Sequence, residues 1–555
     1  ATFPGAVFGR DAEIEALAGI LVSPQGSVLV VGEPGSGRTC VLHEAARRAH
    51  ERTASGSAFG GRGFWKTAAH RLISGARWLG DWQEICETIA RELSRLNDTL
   101  WIEDVAGLLQ AGGDGPEDSV AAFFAPFLER GEIRIAGEIT PRALEALRPR
   151  LPAFFDRFEI WPLPALEHGE SLSVLERAAA LAERDHDITF DRAALESAVR
   201  LARRHIPHES FPGKAVRLLG TCFSEAASRR RRRVDADDVL LAVIEKTGLP
   251  DVLLRDDIPL PGDDLRRHFA ARIVGQPEAV DRLARVVQLF KSGLNDPARP
   301  VATLLFAGPT GVGKTASARA IAEYVFGAGQ AVDPLVRVDM SELQDPGQIA
   351  RLVGGAGDPG GLLGRVRERP FSVVLFDEVE KAHPAFFDAL LTVLDEGLLT
   401  DAWGRVTDFR SAVVILTTNL GTPRGRSLGF GGGPEQRIEG EVRAFFRPEF
   451  FNRIDQVVPF RPLDETAVTG IVRRELALVG EREGLRRRGI PLDADEDAVG
   501  WIARHGFDPV YGARPLQRLI ERSVVGPVAR RLLTRPLPGT LRIGVGPEGL
   551  VVRET

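Results

Sequence analysis

Apolar residues follow two habits along this chain. In five places they run nearly unbroken for a handful of positions: VLVV from Val28, TLWI from Thr99, VATLLFA from Val301, VVLF from Val373 and AVVIL from Ala412. Runs of that length, bounded by Gly and polar residues, read as strands buried on both faces, as in a parallel sheet. Elsewhere, as in ASARAIAEYVF, ALESAVRLARR and KAVRLLGTCFSEA, apolar positions recur every three or four residues and read as amphipathic helices. The expected fold class is α/β, two tandem modules, each a parallel sheet flanked by helices with a smaller helical lid.

The pattern also repeats. RIVGQPEAVDRL parallels VFGRDAEIEAL, GPTGVGKT parallels GEPGSGRT, and VVLFDEVEKAHP parallels TLWIEDVAGL. A tandem duplication follows, with expected bounds of 1–163 for the first core, 164–247 for its lid, 248–262 for a Pro- and Asp-rich linker, 263–460 for the second core and 461–555 for the second lid. The second lid is expected to close on a terminal strand pair near LRIGVGPEGLVV.

The second copy holds the more complete chemistry. Gly308, Pro309, Thr310, Gly311, Val312, Gly313, Lys314 and Thr315 satisfy G-x-x-x-x-G-K-[ST] between a strand and a helix, the context of a phosphate-binding loop. Its glycines let backbone N–H groups turn onto phosphates, Lys314 reaches the β- and γ-phosphates, and Thr315 offers a hydroxyl to Mg²⁺. Asp377 ends the VVLFD strand as the second metal-holding group, and Glu378 stands next as the group that polarises the attacking water. Asn419 ends SAVVILTTN, where it meets the γ-phosphate or that water. Arg447 and Arg453 in FRPEFFNRID and Arg514 in GARPL are candidate charge-stabilising groups, each competing singly with a surface ion pair.

The first copy departs at two points. Gly32, Gly35, Gly37, Arg38 and Thr39 form a similar loop, but Arg38 stands where the lysine belongs, a planar and bulkier cation. The acids of TLWIEDV come in reversed order, Glu103 before Asp104. The reversal lengthens one arm and shortens the other, and a misplacement of about 1 Å can cost on the order of a hundredfold in rate. A degenerate site is the expectation, against an active variant or a strand end with solvated acids.

Composition narrows the classes. The 555 residues carry a formal net charge of −6 and no apolar run long enough to span a bilayer, so nothing points to a nucleic-acid or membrane surface. The run Arg229 to Arg233 reads as a solvated connector in this Arg-rich chain. Cys40, Cys86 and Cys222 show no metal-ligand spacing, and their odd number suits a reducing compartment, with cytoplasm the expected location.

RIVGQ, GPTGVGKT, VVLFDEVEKAHP, LLTVLDEGLLTDAWGRVTDFR, TTNLG, FRPEFFNRID and FDPVYGARPLQRLIE together resemble the two-ring Clp unfoldases of the AAA+ superfamily, of the ClpA, ClpB and ClpC kind. The likeness covers essentially the whole chain, most strongly from Arg272 onward. It implies an ATPase with ATP and Mg²⁺ as cofactors, Lys314, Thr315, Asp377 and Glu378 in the Walker roles, Asn419 as sensor 1, Arg453 as arginine finger and Arg514 as sensor 2. It also implies Ile273 and Val274 at the nucleotide, Arg157 as a first-module finger, Thr140 as a first-module sensor, and a homo-hexameric ring that pulls protein substrates through a pore. Departures accompany the resemblance. There is no room between Phe223 and Val234 for the long helical middle domain of ClpB, and the family's N-terminal substrate-receptor domain is absent from the sequence as given. SGARWLGDWQE places Trp78 at the gripping position of a first pore loop, against its being a core aromatic. The corresponding LVGGAGDPGGLLG has no aromatic. Leu428, Gly429 and Phe430 match the tripeptide that docks on a ClpP-type peptidase, against an ordinary loop. The expected function is an ATP-dependent unfoldase or remodelling chaperone driven by the second module and gripping through the first. The alternative is a nucleotide-gated assembly or adaptor protein without threading. A DNA-acting protein is disfavoured by charge.

Overall fold

The computed structural model describes residues 7–23, 26–54, 61–74, 81–113, 115–327, 333–345, 347, 361–401, 405–421, 434–508, 512–534, 539–547 and 549–554. Tertiary contacts divide the chain into two compact units. One comprises Ala1–Leu254 with Ala350–Pro370 and Leu398–Ser411. The other comprises Arg255–Ile349, Phe371–Gly397 and Ala412–Thr555.

In the first unit, β1 (Val28–Val31), β2 (Phe64–Thr67), β3 (Thr99–Ile102), β4 (Arg134–Ile139) and β5 (Glu159–Pro162) form a parallel sheet in the order β2-β3-β4-β1-β5. Central β1 and β3 are buried at every position, which explains why they read as unbroken apolar runs. Helices His168–Asp185, Arg192–His205, Gly213–Ser228 and Ala236–Thr247 follow as a lid, threaded by the short parallel pair β6 (Thr189–Phe190) and β7 (Arg233–Val234). Local sequence sets the last of these helices: Asp235 caps its N-terminus in a capping box with Asp238, and Gly248 ends it in the left-handed conformation. Helix Gly213–Ser228 passes by a short turn into β7, so the stretch between Phe223 and Val234 holds no further element.

The second unit has β8 (Ala302–Ala307), β9 (Leu335–Asp339) and β10 (Val373–Asp377). The antiparallel hairpin β11 (Leu398–Thr400) and β12 (Val406–Asp408) comes next in sequence and belongs to the first unit by its contacts. Then come β13 (Val413–Thr418) and β14 (Gln456–Pro459), and the sheet runs β14-β8-β13-β10-β9. Taken in chain order, its strands are arranged as in the first sheet, so the repeat read in sequence is a repeat of topology. The second lid contains helices Glu465–Gly480, Glu496–Gly506 and Arg514–Ile520, the last continuing through a π-helical stretch into Gly526–Thr534. A three-stranded sheet, β15 (Leu492–Ala494), β16 (Leu541–Gly546) and β17 (Gly549–Glu554), completes it, with β16 and β17 antiparallel.

Candidate functional site

The glycine loop of the second unit joins β8 to helix Lys314–Phe326, both buried elements that hold it from either end. Gly308 has φ +146°, and a Cβ there would stand 2.3 Å from the Phe460 carbonyl oxygen, so only glycine lets the loop pass the end of β14. Around the loop lies a cavity of about 430 Å³ lined by Ile273, Val274, Thr310, Gly311, Val312, Gly313, Lys314, Thr315, Asp377, Glu378, Asn419 and Arg514.

Lys314 is buried, and its ammonium donates to the Gly308 carbonyl, to the Pro309 carbonyl at 2.9 Å and to Asn419 Oδ1 at 2.9 Å. Burial pushes its pKa down to about 8, against the pull of Glu380, Asp377 and Glu378. Thr310 donates to the same Asn419 oxygen at 3.2 Å, while Asn419 Nδ2 donates to Glu378 at 3.3 Å. One amide therefore joins Lys314 to Glu378. Asp377, also buried, accepts from Thr417 Oγ1 at 2.5 Å and from Arg337 at 2.6 Å, which fixes its carboxylate toward the loop end of β10.

Glu378 stands in the left-handed region, φ +61° and ψ +52°. For a non-glycine residue this costs on the order of 1–3 kcal/mol and persists only where surroundings impose it. Here its backbone N–H donates to Thr417 Oγ1 at 3.0 Å, and its carboxylate meets Lys381 at 2.5 Å. The Lys381 contact holds the carboxyl below the usual range, so it is ionised and able to accept a proton at neutral pH.

The lid reaches the loop through backbone: Ala513 N–H donates to the Gly311 carbonyl at 3.2 Å, and a Cβ on Gly512, at φ +64°, would fall 2.7 Å from the Gly311 carbonyl carbon. This contact starts helix Arg514–Ile520 at the cavity wall. Arg453 is not among the lining residues; its guanidinium lies 2.5 Å from Asp395, and Arg447 pairs with Asp388 at 3.1 Å. Trp78, Leu428, Gly429 and Phe430 lie outside the described residues.

Sequence reasoning passed over several contributors. Gln276, buried, donates to the Val312 and Arg461 carbonyls at 3.3 and 2.8 Å and accepts from Arg461 N–H at 2.9 Å, clasping the loop to the chain that enters the lid. Its signal was the amide in RIVGQ just before a helix. Ile471, Arg474 and Glu475 line the cavity from one face of helix Glu465–Gly480, a spacing of three and four that marked them as neighbours.

In the first unit the corresponding loop leads into helix Arg38–Ala54. Its lid docks in the same manner: Ser210 N–H donates to the Pro34 carbonyl at 2.8 Å and Gly213 N–H to the Gly35 carbonyl at 2.9 Å. Next to that contact Lys214 is buried, donates to the Ile206 carbonyl at 2.9 Å and lies 4.3 Å from the Phe211 ring, its pKa pushed down to about 8 by burial. The acids differ. Glu103 pairs with Lys66 at 2.7 Å with both side chains 41% exposed, while Asp104, in extended backbone, caps the turn Val105–Leu109 by accepting from Ala106 N–H. Thr140 caps helix Pro141–Leu147, and Arg157 pairs with Glu129 at 2.7 Å.

Known proteins share this arrangement. The AAA domain (Cdc48 subfamily) model matches residues 299–457, the C-terminal D2-small domain of ClpB protein 463–543, and the AAA lid domain 167–248. Chaperone protein ClpB of Meiothermus ruber is 30% identical, with 98% of this chain and 79% of that protein covered. The chain belongs to the Clp family of AAA+ chaperones. Chloroplastic ClpC3 of Oryza sativa subsp. japonica is 29% identical over 95% of this chain and 66% of its own length. Among solved structures, the S. cerevisiae Hsp104-ADP complex matches with a TM-score of 0.74 at 28% identity, covering 98% of this chain and 96% of that one. The S. cerevisiae Hsp104:casein complex in its extended conformation matches with a TM-score of 0.64 at 27% identity, covering 99% and 96%. This Clp protein is therefore built of tandem AAA+ modules, binds nucleotide and couples ATP hydrolysis to protein remodelling, as a Clp-type unfoldase or disaggregase. No helix among its described residues is long and apolar enough to cross a membrane.

Proposed function

We propose that the second module is the engine of this unfoldase. The observation that carries the reading is the Lys314–Asn419–Glu378 chain, which puts a phosphate-binding cation and an ionised base on one amide inside a nucleotide-sized cavity. The loop glycines and Lys314 hold the β- and γ-phosphates, Ile273 and Val274 offer apolar surface to the base, and Arg514 brings the lid to the phosphates. Thr315 and buried Asp377 are hard oxygen donors on the cavity wall and fit Mg²⁺. Mg²⁺, when bound, neutralises charge developing between the phosphates. Glu378 orients the water and accepts its proton, and Asn419 holds Glu378 in place. Arg453, which pairs with Asp395 and is not among the residues lining its own cavity, serves that of a neighbouring subunit in a homo-hexamer.

The domain bounds are those set out from the sequence, with clients that are proteins rather than nucleic acid, a cytoplasmic setting and no membrane. Trp78 grips the substrate in the first module, and Trp78→Ala slows threading of a tagged unfolded protein while sparing ATPase; wild-type threading speed would overturn this. Leu428, Gly429 and Phe430 dock a ClpP-type peptidase, and Phe430→Ala abolishes co-sedimentation in ATP; equal co-sedimentation would overturn it.

Glu378→Gln tests the engine. It lowers single-turnover hydrolysis by about a hundredfold or more while leaving nucleotide bound. Undiminished hydrolysis would remove Glu378 from the chemistry. A nucleotide-gated scaffold is the second reading, favoured by Asp104 acting as a helix cap instead of facing phosphate. Under that reading the same variant keeps full partner function, whereas an unfoldase loses unfolding and keeps its ring.

A further inference from the structure

The first module buries a carboxylate that its sequence motifs do not announce. Glu138, the fifth residue of β4, is 3% exposed, accepts from Thr39 Oγ1 at 2.7 Å and from Trp101 Nε1 at 3.2 Å. Strand register identifies its counterpart. Thr99 pairs with Arg134 in the first sheet as Val373 pairs with Val413 in the second, which sets Glu138 level with Thr417. In the second module that place holds a hydroxyl instead of an acid: Thr417 donates to Asp377 and accepts from Glu378 N–H. In the first, the residue at the place of Asp377 is Glu103, which is turned to Lys66. In the first module the carboxylate in contact with the loop hydroxyl therefore comes from β4, the strand next to the one that leads into Glu103.

Burying an ionised carboxylate costs several kcal/mol unless charge and hydrogen bonds compensate. Burial raises the Glu138 pKa, and Thr39, Arg38 and Trp101 each draw it back. Arg38, partly buried at the loop, has its pKa lowered by desolvation, with Glu138, Asp104 and Glu33 opposing the shift. The hydroxyl of the loop threonine in contact with a carboxylate is an all-oxygen donor pair of the kind a hard divalent cation takes.

We propose that Glu138 is the metal-holding acid of a second nucleotide site. Thr39 and Glu138 take the Mg²⁺ of a nucleoside di- or triphosphate, and Arg38 takes its phosphates. The site retains nucleotide without turning it over. Asp104, level with Glu378, has φ −141° and ψ +100° instead of the left-handed geometry, and its carboxylate is engaged by the Ala106 N–H.

The test uses the full chain with Lys314→Ala, which silences the second site, and reads equilibrium ADP binding with and without Mg²⁺. About one ADP per chain remains, held more tightly with Mg²⁺. Glu138→Thr and Glu138→Gln each shrink that Mg²⁺-dependent gain by about ten- to a hundredfold. The glutamine variant has the same shape, keeps one acceptor oxygen for Trp101 Nε1 and turns its amide N–H to the Thr39 hydroxyl oxygen, so it reports on the metal even where the threonine variant fails to fold. Mn²⁺ signals by electron paramagnetic resonance weaken in parallel. Adding Arg38→Ala removes the remaining ADP. The proposal is overturned if Lys314→Ala binds no ADP, if the Mg²⁺-dependent gain survives both Glu138 variants, if Glu138→Thr binds ADP more tightly in Mg²⁺, or if ADP persists in the Arg38→Ala/Lys314→Ala chain. None of these results bears on hydrolysis at Glu378.

Discussion

The depressed pKa of Lys314 makes nucleotide affinity at the second site depend on pH in a direction that the geometry fixes. Without nucleotide the ammonium is buried against two carbonyls and an amide oxygen, and its pKa is about 8. Phosphate oxygens arriving in the cavity favour the charged form, so the pKa rises on binding and, above pH 8, binding takes up a proton. Affinity must then fall as pH rises through the free-site pKa, and level off only at the bound-site pKa. From about pH 7 to about pH 9 the protonated fraction of the free site drops about tenfold, which is about 1.4 kcal/mol of binding free energy. ADP itself adds nothing over this range, because phosphate esters lose their last proton near about pH 6. The assay is calorimetric ADP binding to the Arg38→Ala chain, metal-free and at constant ionic strength, with proton uptake measured in buffers of different ionisation enthalpy. Lys314→Arg is the control, since guanidinium stays charged throughout and its affinity is flat. A flat profile in the lysine protein, or the same slope in Lys314→Arg, would refute the argument.

Three further outcomes follow from contacts already described. Arg453→Ala lowers steady-state ATPase by about a thousandfold yet leaves ADP affinity of the isolated protomer unchanged, because Arg453 is not among the residues that line its own cavity; a matching loss of affinity would place it in cis. Gly512→Ala weakens nucleotide binding, since left-handed backbone costs an L residue about 1–2 kcal/mol and the added methyl meets Gly311 backbone; unchanged affinity would show that the lid need not dock there. Asp104→Ala lowers stability to denaturant by about 1 kcal/mol, as for the loss of a helix cap, with ATPase unaltered; loss of ATPase would make Asp104 a participant in turnover.

How legible the molecule was depends on what kind of constraint wrote each residue. Strands β1, β3, β8, β10 and β13 were readable because both faces are buried, which leaves an unbroken apolar run. The loops were readable because their glycines answer to backbone geometry that few sequences satisfy, as the Gly308 approach to Phe460 shows. The hairpin of β11 and β12 left no such trace. Its strands are three residues long, and Asp401, held by Arg405 at 2.6 Å and Arg367 at 3.2 Å, is an ion-pair arrangement that periodicity does not encode. Gln276 and the lid residues Arg474 and Glu475 acquire meaning only when distant segments meet at the loop.

Glu138 is the instructive case between these extremes. RIAGEI contains a single acid in a strand whose last five positions are all buried, an anomaly visible in the sequence once the strand is aligned with VVILTT. A strand that had merely drifted from function would have no reason to keep a charge there, since an apolar residue would fit without the desolvation cost. Arg38 is one partner of that carboxylate, and Asp104 and Glu33 favour the same cation. What Glu138 alone contributes is a carboxylate against the Thr39 hydroxyl. Lid docking on the loop shares one backbone hydrogen bond in both modules, Ala513 to Gly311 and Gly213 to Gly35, so that bond does not set the two sites apart as the placing of their acids does. That difference is the one expected of a pair in which one site cleaves its nucleotide and the other holds it.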